Sequence, residues 1–392
     1  MIVGVPKETY PGERRVALVP AVLPNLKKLG LEAVIEAGAG LEAGYTDAHY
    51  AEKGARILPD RKSVFAAADI ITQVLCYGSN DKTGKADLPL MKRDQVLIGF
   101  LRPFGSREVL EEIARAGVTA FSVELMPRTT RAQSMDALSS MATACGYKAV
   151  LIAADTLPRF YPMLTTAAGT ITPARVLILG VGVAGLQAIA TARRLGAIVT
   201  AYDVRPVVKE QVQSLGARFL ELPIEAKDAQ DARGYATAQD ESFYAKQRQL
   251  LGQAVAENDV VITTAVVPGK QAPVLVTKEM VQGMQPGSVI VDLAAERGGN
   301  CELSKTDETI VAYGVTIIGK INLASTVPYH ASSLYARNLS AFLEHLVKGG
   351  KLVIDPSDEI TRDTMLTRGG EIVHARVRET FALPPLAAPV QV

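Results

Sequence analysis

Residues 175–206 read RVLILGVGVAGLQAIATARRLGAIVTAYDVRP. An apolar run leads into Gly180, Gly182 and Gly185, spaced G-x-G-x-x-G. An alanine-rich helical stretch follows, and then a second apolar run ending at Asp203. Each glycine has a separate reason to be there. Gly180 permits a tight turn, Gly182 lets a pyrophosphate approach the backbone, and Gly185 lets the helix pack on the strand. The helix start, with Val183 and Ala184, supplies amide donors and a partial positive charge. The triplet alone says little, but strand, glycines, helix, second strand and acid occur here in the order of a dinucleotide-binding βαβ unit. A carboxylate at Asp203, followed by Val204, accepts hydrogen bonds from ribose hydroxyls and repels a 2′-phosphate, which favours NAD(H) over NADP(H). Arg205 argues the other way, because arginine can receive that phosphate.

The same alternation runs through the chain. IVGVP, EAVIEAG, IITQVL, QVLIGFL and VTAFSVE read as short buried strands. SREVLEEIARAG reads as an amphipathic helix with a serine cap and a glycine stop. A long helix is expected over about 137–157 and another over about 332–348. The pattern predicts an α/β chain of two doubly wound, Rossmann-like domains with parallel sheets, joined by long helices around an inter-domain cleft. The expected boundaries are 1–137 plus 328–380 for a discontinuous first domain and 138–327 for the dinucleotide-binding domain. The Pro/Ala-rich tail 381–392 is expected to be disordered. The cleft is the default binding site. Thr264 and Ala265, at the exit of the apolar run DVVITT, fall on the rim that faces the cofactor in such sheets. They read equally well as a plain strand exit.

Composition narrows the classes. The 392 residues are 48% hydrophobic and 21% charged, with a net charge of +1, so nothing calls for nucleic acid or an anionic membrane surface. Three cysteines, Cys76, Cys145 and Cys301, are too scattered for a disulfide framework or a zinc site, and the four histidines do not pair at ligand spacing; no metal is expected. The opening MIVGVPKETYPGERR lacks the layout of a signal peptide.

The stretch 128–139, RTTRAQSMDALS, is unusual for the entrance to an apolar helix. Gln133, Asp136 and Ser139 recur every three residues, which puts them near one face of a helix. Arg128 stands just upstream. Such groups can hold a carboxamide by donating and accepting hydrogen bonds. The alternative is structural, with Arg128 and Asp136 as an ion pair and Ser139 as a helix cap.

Five stretches together, PKETYPGERRVALVP, RAQSMDALSS, the glycine turn, TTAVVPGKQAPVLVT and GSVIVDLAAERGGN, resemble the NAD(H)-binding component of proton-translocating NAD(P) transhydrogenase. The likeness extends to about residue 375. RAQSMD is specific to that family, whereas the glycine turn is not. The wider superfamily includes alanine dehydrogenase. The resemblance implies that Arg128, Gln133, Asp136 and Ser139 hold the dihydronicotinamide ring, with Ser134 and Met135 in the same loop. It implies that Gln133 approaches a second nucleotide on a partner, and that a mobile loop carrying Gly234 and Tyr235 folds over the cofactor. It further implies a homodimer, a separate NADP(H)-binding subunit, a membrane proton-channel subunit, and a place on the cytoplasmic side, peripheral to the membrane.

Hydride transfer between two nicotinamide rings leaves no proton to be moved, so it needs distance and orientation rather than a general base. An alanine dehydrogenase must move protons on an amine. Arg15 sits where those relatives keep an arginine for the substrate carboxylate. However, Leu75 replaces their lysine and Arg102 their histidine, and only Glu296 survives near the GG pair. Arginine stays charged and cannot act as an acid or base near neutrality. A non-enzymatic NAD-sensing module would carry the same glycine turn and leave the 128–139 set unexplained.

Overall fold

The structure, a computed structural model, describes residues 1–224, 229–230, 236–267, 271–384 and 386. Gly234 and Tyr235 lie outside the described residues, as does most of the tail expected to be disordered. The chain divides into two compact units: Met1–Met141 with Ser325–Val392, and Ala142–Ala324. One boundary falls inside the Ala137–Thr156 helix.

The first unit is built on an eight-stranded sheet. Its strands are β1 (Ile2–Val5), β2 (Glu32–Glu36), β3 (Arg56–Leu58), β4 (Ile70–Leu75), β5 (Val96–Phe100), β6 (Thr119–Ser122), β18 (Met365–Arg368) and β19 (Glu371–Ile372), in the spatial order β19-β18-β6-β5-β4-β1-β2-β3. The six N-terminal strands pair in parallel, and β18 and β19 add an antiparallel edge. Helices cover both faces. Leu110 and Ile113 of the Arg107–Arg115 helix pack with Ile71, Leu97 and Ala120. On the other face, Phe342 of the Pro328–Leu346 helix meets Phe121 edge-on at 5.4 Å, and Tyr335 stacks on Phe100 at 5.5 Å. The Arg107–Arg115 helix starts where Ser106 Oγ accepts from Val109 N, and Gly117 follows it with φ +78°.

The second unit holds a seven-stranded sheet. Its members are β9 (Arg175–Leu179), β10 (Ile198–Tyr202), β11 (Arg218–Phe219), β12 (Val260–Thr263), β13 (Val289–Asp292), β14 (Thr309–Ala312) and β15 (Val315–Ile318), ordered β11-β10-β9-β12-β13-β15-β14. Only the edge pair β14–β15 is antiparallel. Side chains alternate across a strand, so β9 serves two cores. Val176 and Ile178 pack with Ala149, Val150, Ala153, Ala188 and Ile189, while Leu177 and Leu179 pack with Leu251 and Val255 of the Glu241–Ala256 helix. Two small hairpins, β7 (Leu164–Thr166) with β8 (Gly169–Ile171) and β16 (Val347–Lys348) with β17 (Lys351–Leu352), complete the strands.

The fold is thus α/β with two mostly parallel, doubly wound sheets. It departs from the all-parallel expectation at the edges, where short strands have a neighbour on one side only and can add in either direction. By length and composition, the Ala137–Thr156 helix could cross a membrane. In the fold its Ala149, Val150 and Ala153 are fully buried against the second sheet.

Candidate functional site

At the end of β9 the chain turns at Gly180 with φ +98°, a conformation that side chains disfavour. It then enters the Val183–Arg194 helix. A Cβ on Gly185 would lie 2.0 Å from the Gly180 carbonyl oxygen, so helix and turn pack backbone to backbone. A Cβ on Gly182 would meet nothing within 4 Å. The protein's own packing therefore does not require glycine at 182, whereas a ligand lying on that backbone would. No side chain caps this helix start, and its first amides have no carbonyl one turn back to receive them. An open cradle with outward-facing amides fits a pyrophosphate.

Asp203 ends β10 at 9% exposure. Its Oδ2 accepts from Val181 N at 2.7 Å, which ties the strand tip to the glycine turn. Arg205 closes on the same carboxylate through Nε and Nη2, both at 2.9 Å, and also donates to the Val181 carbonyl at 3.1 Å. Val204 between them is half-buried. Thr264 Oγ1 donates to the Gly180 carbonyl at 2.9 Å, so the strand exit at 264–265 lies directly against the glycine turn. Ala265 is held by Asn300, whose Oδ1 accepts from Ala265 N and whose Nδ2 donates to Ala265 O and Pro273 O.

Sequence reading overlooked Asn300 and its support, Asp292. Fully buried Asp292 accepts from Thr263 Oγ1, Ala294 N, Asn300 N, Cys301 N and Ser304 Oγ. The available signal was an aspartate at a strand end shortly before Gly298 and Gly299.

The 128–139 stretch belongs to the first unit. It is not one helix with a polar face. Thr130–Met135 forms a 3-10 turn, the chain breaks at Asp136 with ψ 89°, and the Ala137–Thr156 helix begins after it. In a 3-10 turn residues three apart align. Ala132 and Met135 accordingly form one buried row, while Gln133 and Ser134 are exposed, as is Arg128. Asp136 caps the long helix: Oδ1 accepts from Ser139 N at 2.9 Å and Oδ2 from Ser139 Oγ at 2.6 Å. The cap is therefore Asp136, and Ser139 is its partner rather than the capping residue.

The rest of the first unit's strand-end polar groups are engaged internally. Arg15, at 4% exposure, donates Nε and Nη2 to the two oxygens of Glu13 at 2.8 and 2.6 Å. A substrate carboxylate would have to compete with Glu13. Glu8 accepts from Val74 N and Leu75 N at the tip of β4. Burial, reinforced by Glu13, pushes its carboxyl up to about 8. Burial likewise raises the Cys76 and Cys301 thiols, which leaves neither as a ready nucleophile. Among the described residues no group of three or more His, Cys, Asp or Glu is arranged to hold a metal.

These features define a class: a two-unit α/β protein with a Rossmann-type nucleotide-binding turn in its second unit. Family models described as "Alanine dehydrogenase/PNT" match it nearly end to end, the N-terminal domain over residues 4–145 and the C-terminal domain over 149–375. An NAD(P) transhydrogenase subunit alpha chain from Rhodospirillum rubrum is 47% identical over 95% of this chain and 98% of its own length. A transhydrogenase crystal structure from Sinorhizobium meliloti superposes with a TM-score of 0.85 at 44% identity, covering 95% of this chain and all of that one. An alanine dehydrogenase from Methanococcus maripaludis is 28% identical over 98% of this chain and 97% of its own length. The chain belongs to the alanine dehydrogenase/PNT family, on the side of the transhydrogenase alpha subunits.

Proposed function

We propose that this chain is the NAD(H)-binding subunit of a proton-translocating transhydrogenase. Bound NADH supplies a hydride to the nicotinamide ring of NADP+ held on a partner subunit. Gly180, Gly182, Val183, Ala184 and Gly185 carry the pyrophosphate on backbone amides. Asp203, with Val204 and Arg205 beside it, holds the adenosine ribose, and Thr264 and Ala265 form the rim next to the turn. Arg128, Gln133, Asp136 and Ser139, with Ser134 and Met135, orient the dihydronicotinamide ring. Gly234 and Tyr235 close over the cofactor. Membrane subunits carry the proton path. The chain acts as a homodimer, peripheral to the membrane on its cytoplasmic side.

The observation that carries this reading is the make-up of the 128–139 stretch. It exposes a guanidinium and a carboxamide beside a carboxylate already committed to Ser139, and it contains no histidine or lysine. Those groups orient a ring well and shuttle protons poorly, which matches hydride transfer between two nicotinamides. The Glu13–Arg15 pair counts against an amino-acid substrate.

The test mixes the purified chain with an NADP+-loaded partner component and NADH. NADPH should form with the partner present. NAD+ with L-alanine should give no NADH. Rapid alanine oxidation by the chain alone, or failure to bind NADH, would overturn the proposal.

A further inference from the structure

The Thr130–Met135 turn faces solvent with Gln133 and Ser134, yet short 3-10 turns are held only weakly by their own hydrogen bonds. Two buried side chains, Ala132 and Met135, anchor one row of it. The chain's closing segment ties it at two further points.

At the near end, Arg131 Nη2 donates to Asp358 Oδ2 at 2.6 Å. Asp358 is itself fixed. Its Oδ1 caps the Glu359–Thr364 helix, accepting from Ile360 N at 2.9 Å and Thr361 N at 3.2 Å, and His345 Nε2 lies 3.2 Å from that same oxygen. At the far end, Asn338 Nδ2 donates to the Ser134 carbonyl at 2.8 Å. Asn338 is 7% exposed on the Pro328–Leu346 helix, and its Oδ1 has no partner among the described residues. A buried amide that leaves its own acceptor unsatisfied while reaching one backbone carbonyl costs stability. That cost is accounted for if the bond fixes something other than the core.

We infer that Asn338 and Asp358 are positioning residues, clamping the two ends of the Arg131–Ser134 segment and thereby setting where Gln133 and the Asp136 cap stand. The inference rests on the ring-orienting role proposed for that stretch. Neither residue touches the reacting groups. Each acts through the turn, in which a small displacement is enough to slow a reaction governed by distance and angle.

The variants are Asn338→Leu, which removes the donor at similar volume, Asp358→Asn, which keeps a capping side chain but removes the charge facing Arg131, and the double variant. Hydrogen exchange by mass spectrometry on the full chain should show amides 130–136 exchanging faster, by about fivefold in the double variant, with peptides across 175–206 unchanged. NADH affinity should stay within about twofold while kcat with the NADP+-loaded partner falls about tenfold or more. Unchanged exchange at 130–136 overturns the inference, and so does a loss of NADH affinity that matches the loss of kcat. If the unaltered chain binds NADH but transfers no hydride, the functional proposal fails instead, and the exchange measurement still decides whether the clamps exist.

Discussion

Asp203 and Arg205 stand two residues apart and close on each other, carboxylate against guanidinium, with two hydrogen bonds of 2.9 Å. The same carboxylate receives the Val181 amide, so the acid at the strand tip also braces the glycine turn. A ribose arriving here meets an acid whose charge is already balanced. The arginine that could have welcomed a 2′-phosphate is turned inward onto its neighbour.

Asp203→Ala should therefore do two things. NADH affinity should fall, by about tenfold for the loss of a good hydrogen-bonding pair, and NADPH should bind relatively better as Arg205 is released. Fluorescence titration with both nucleotides reads this, and an unchanged NADH-to-NADPH preference would remove Asp203 from the ribose site. Arg205→Ala leaves a nearly buried carboxylate without its cation and should destabilise the protein by on the order of 3 kcal/mol, read by urea denaturation.

Two glycines of one motif should fail differently. Gly185→Ala places a methyl 2.0 Å from a backbone oxygen and should unfold or severely destabilise the second unit. Gly182→Ala meets no protein atom within 4 Å, and stability should drop by no more than about 1 kcal/mol, the cost of alanine at a helix cap. Its NADH affinity should nevertheless fall about tenfold or more as the methyl occupies the cradle. Calorimetry paired with titration separates the two. Normal NADH binding by Gly182→Ala would show that the pyrophosphate lies elsewhere.

In the 128–139 stretch, capping and ring-holding can be separated. Asp136→Ala loses both bonds to Ser139 and should cost about 1 kcal/mol of stability, whereas Asp136→Asn keeps a capping oxygen and should cost little. Hydride transfer should decline in both. Arg128→Ala should slow transfer about a hundredfold with NADH affinity changed by less than about threefold. Stopped-flow rates beside equilibrium titration provide the comparison; equal losses in rate and affinity would contradict an orienting role.

The Glu8 carboxyl gives stability a pH signature. Burial pushes it from its ordinary 4.5 up to about 8. Between those values the native chain holds a proton that the unfolded chain has released, so the native state binds more protons and stability falls as pH rises. The contribution is fully present below about pH 4.5 and is lost through about pH 8. The difference in urea midpoint between the unaltered chain and Glu8→Gln should therefore change across that window, to the disadvantage of the unaltered chain at the alkaline end. A pH-independent difference would mean that Glu8 titrates as an ordinary surface acid.

Whatever depends on neighbours along the chain was legible in the residues alone. Apolar runs such as Val176–Leu179 had to be strands buried on both faces. Ser106 and Gly117 bracketed a helix, and the spacing of Gly180, Gly182 and Gly185 before a helix, with Asp203 at the next strand's tip, marked the nucleotide turn. Each of these is a local rule of periodicity, capping or backbone sterics. Pairings across long separations became visible only in the folded chain: Glu8 with Val74 and Leu75, Thr264 with Gly180, and Asn338 with Ser134. Folding also turned an expected helix face into a 3-10 turn, a break and a cap. The reason is physical. Spacing of three fits either helix, and what selects between them is whether Ala132 and Met135 find a core and whether Asp136 finds two donors. Both are supplied by packing, which no local stretch of residues specifies.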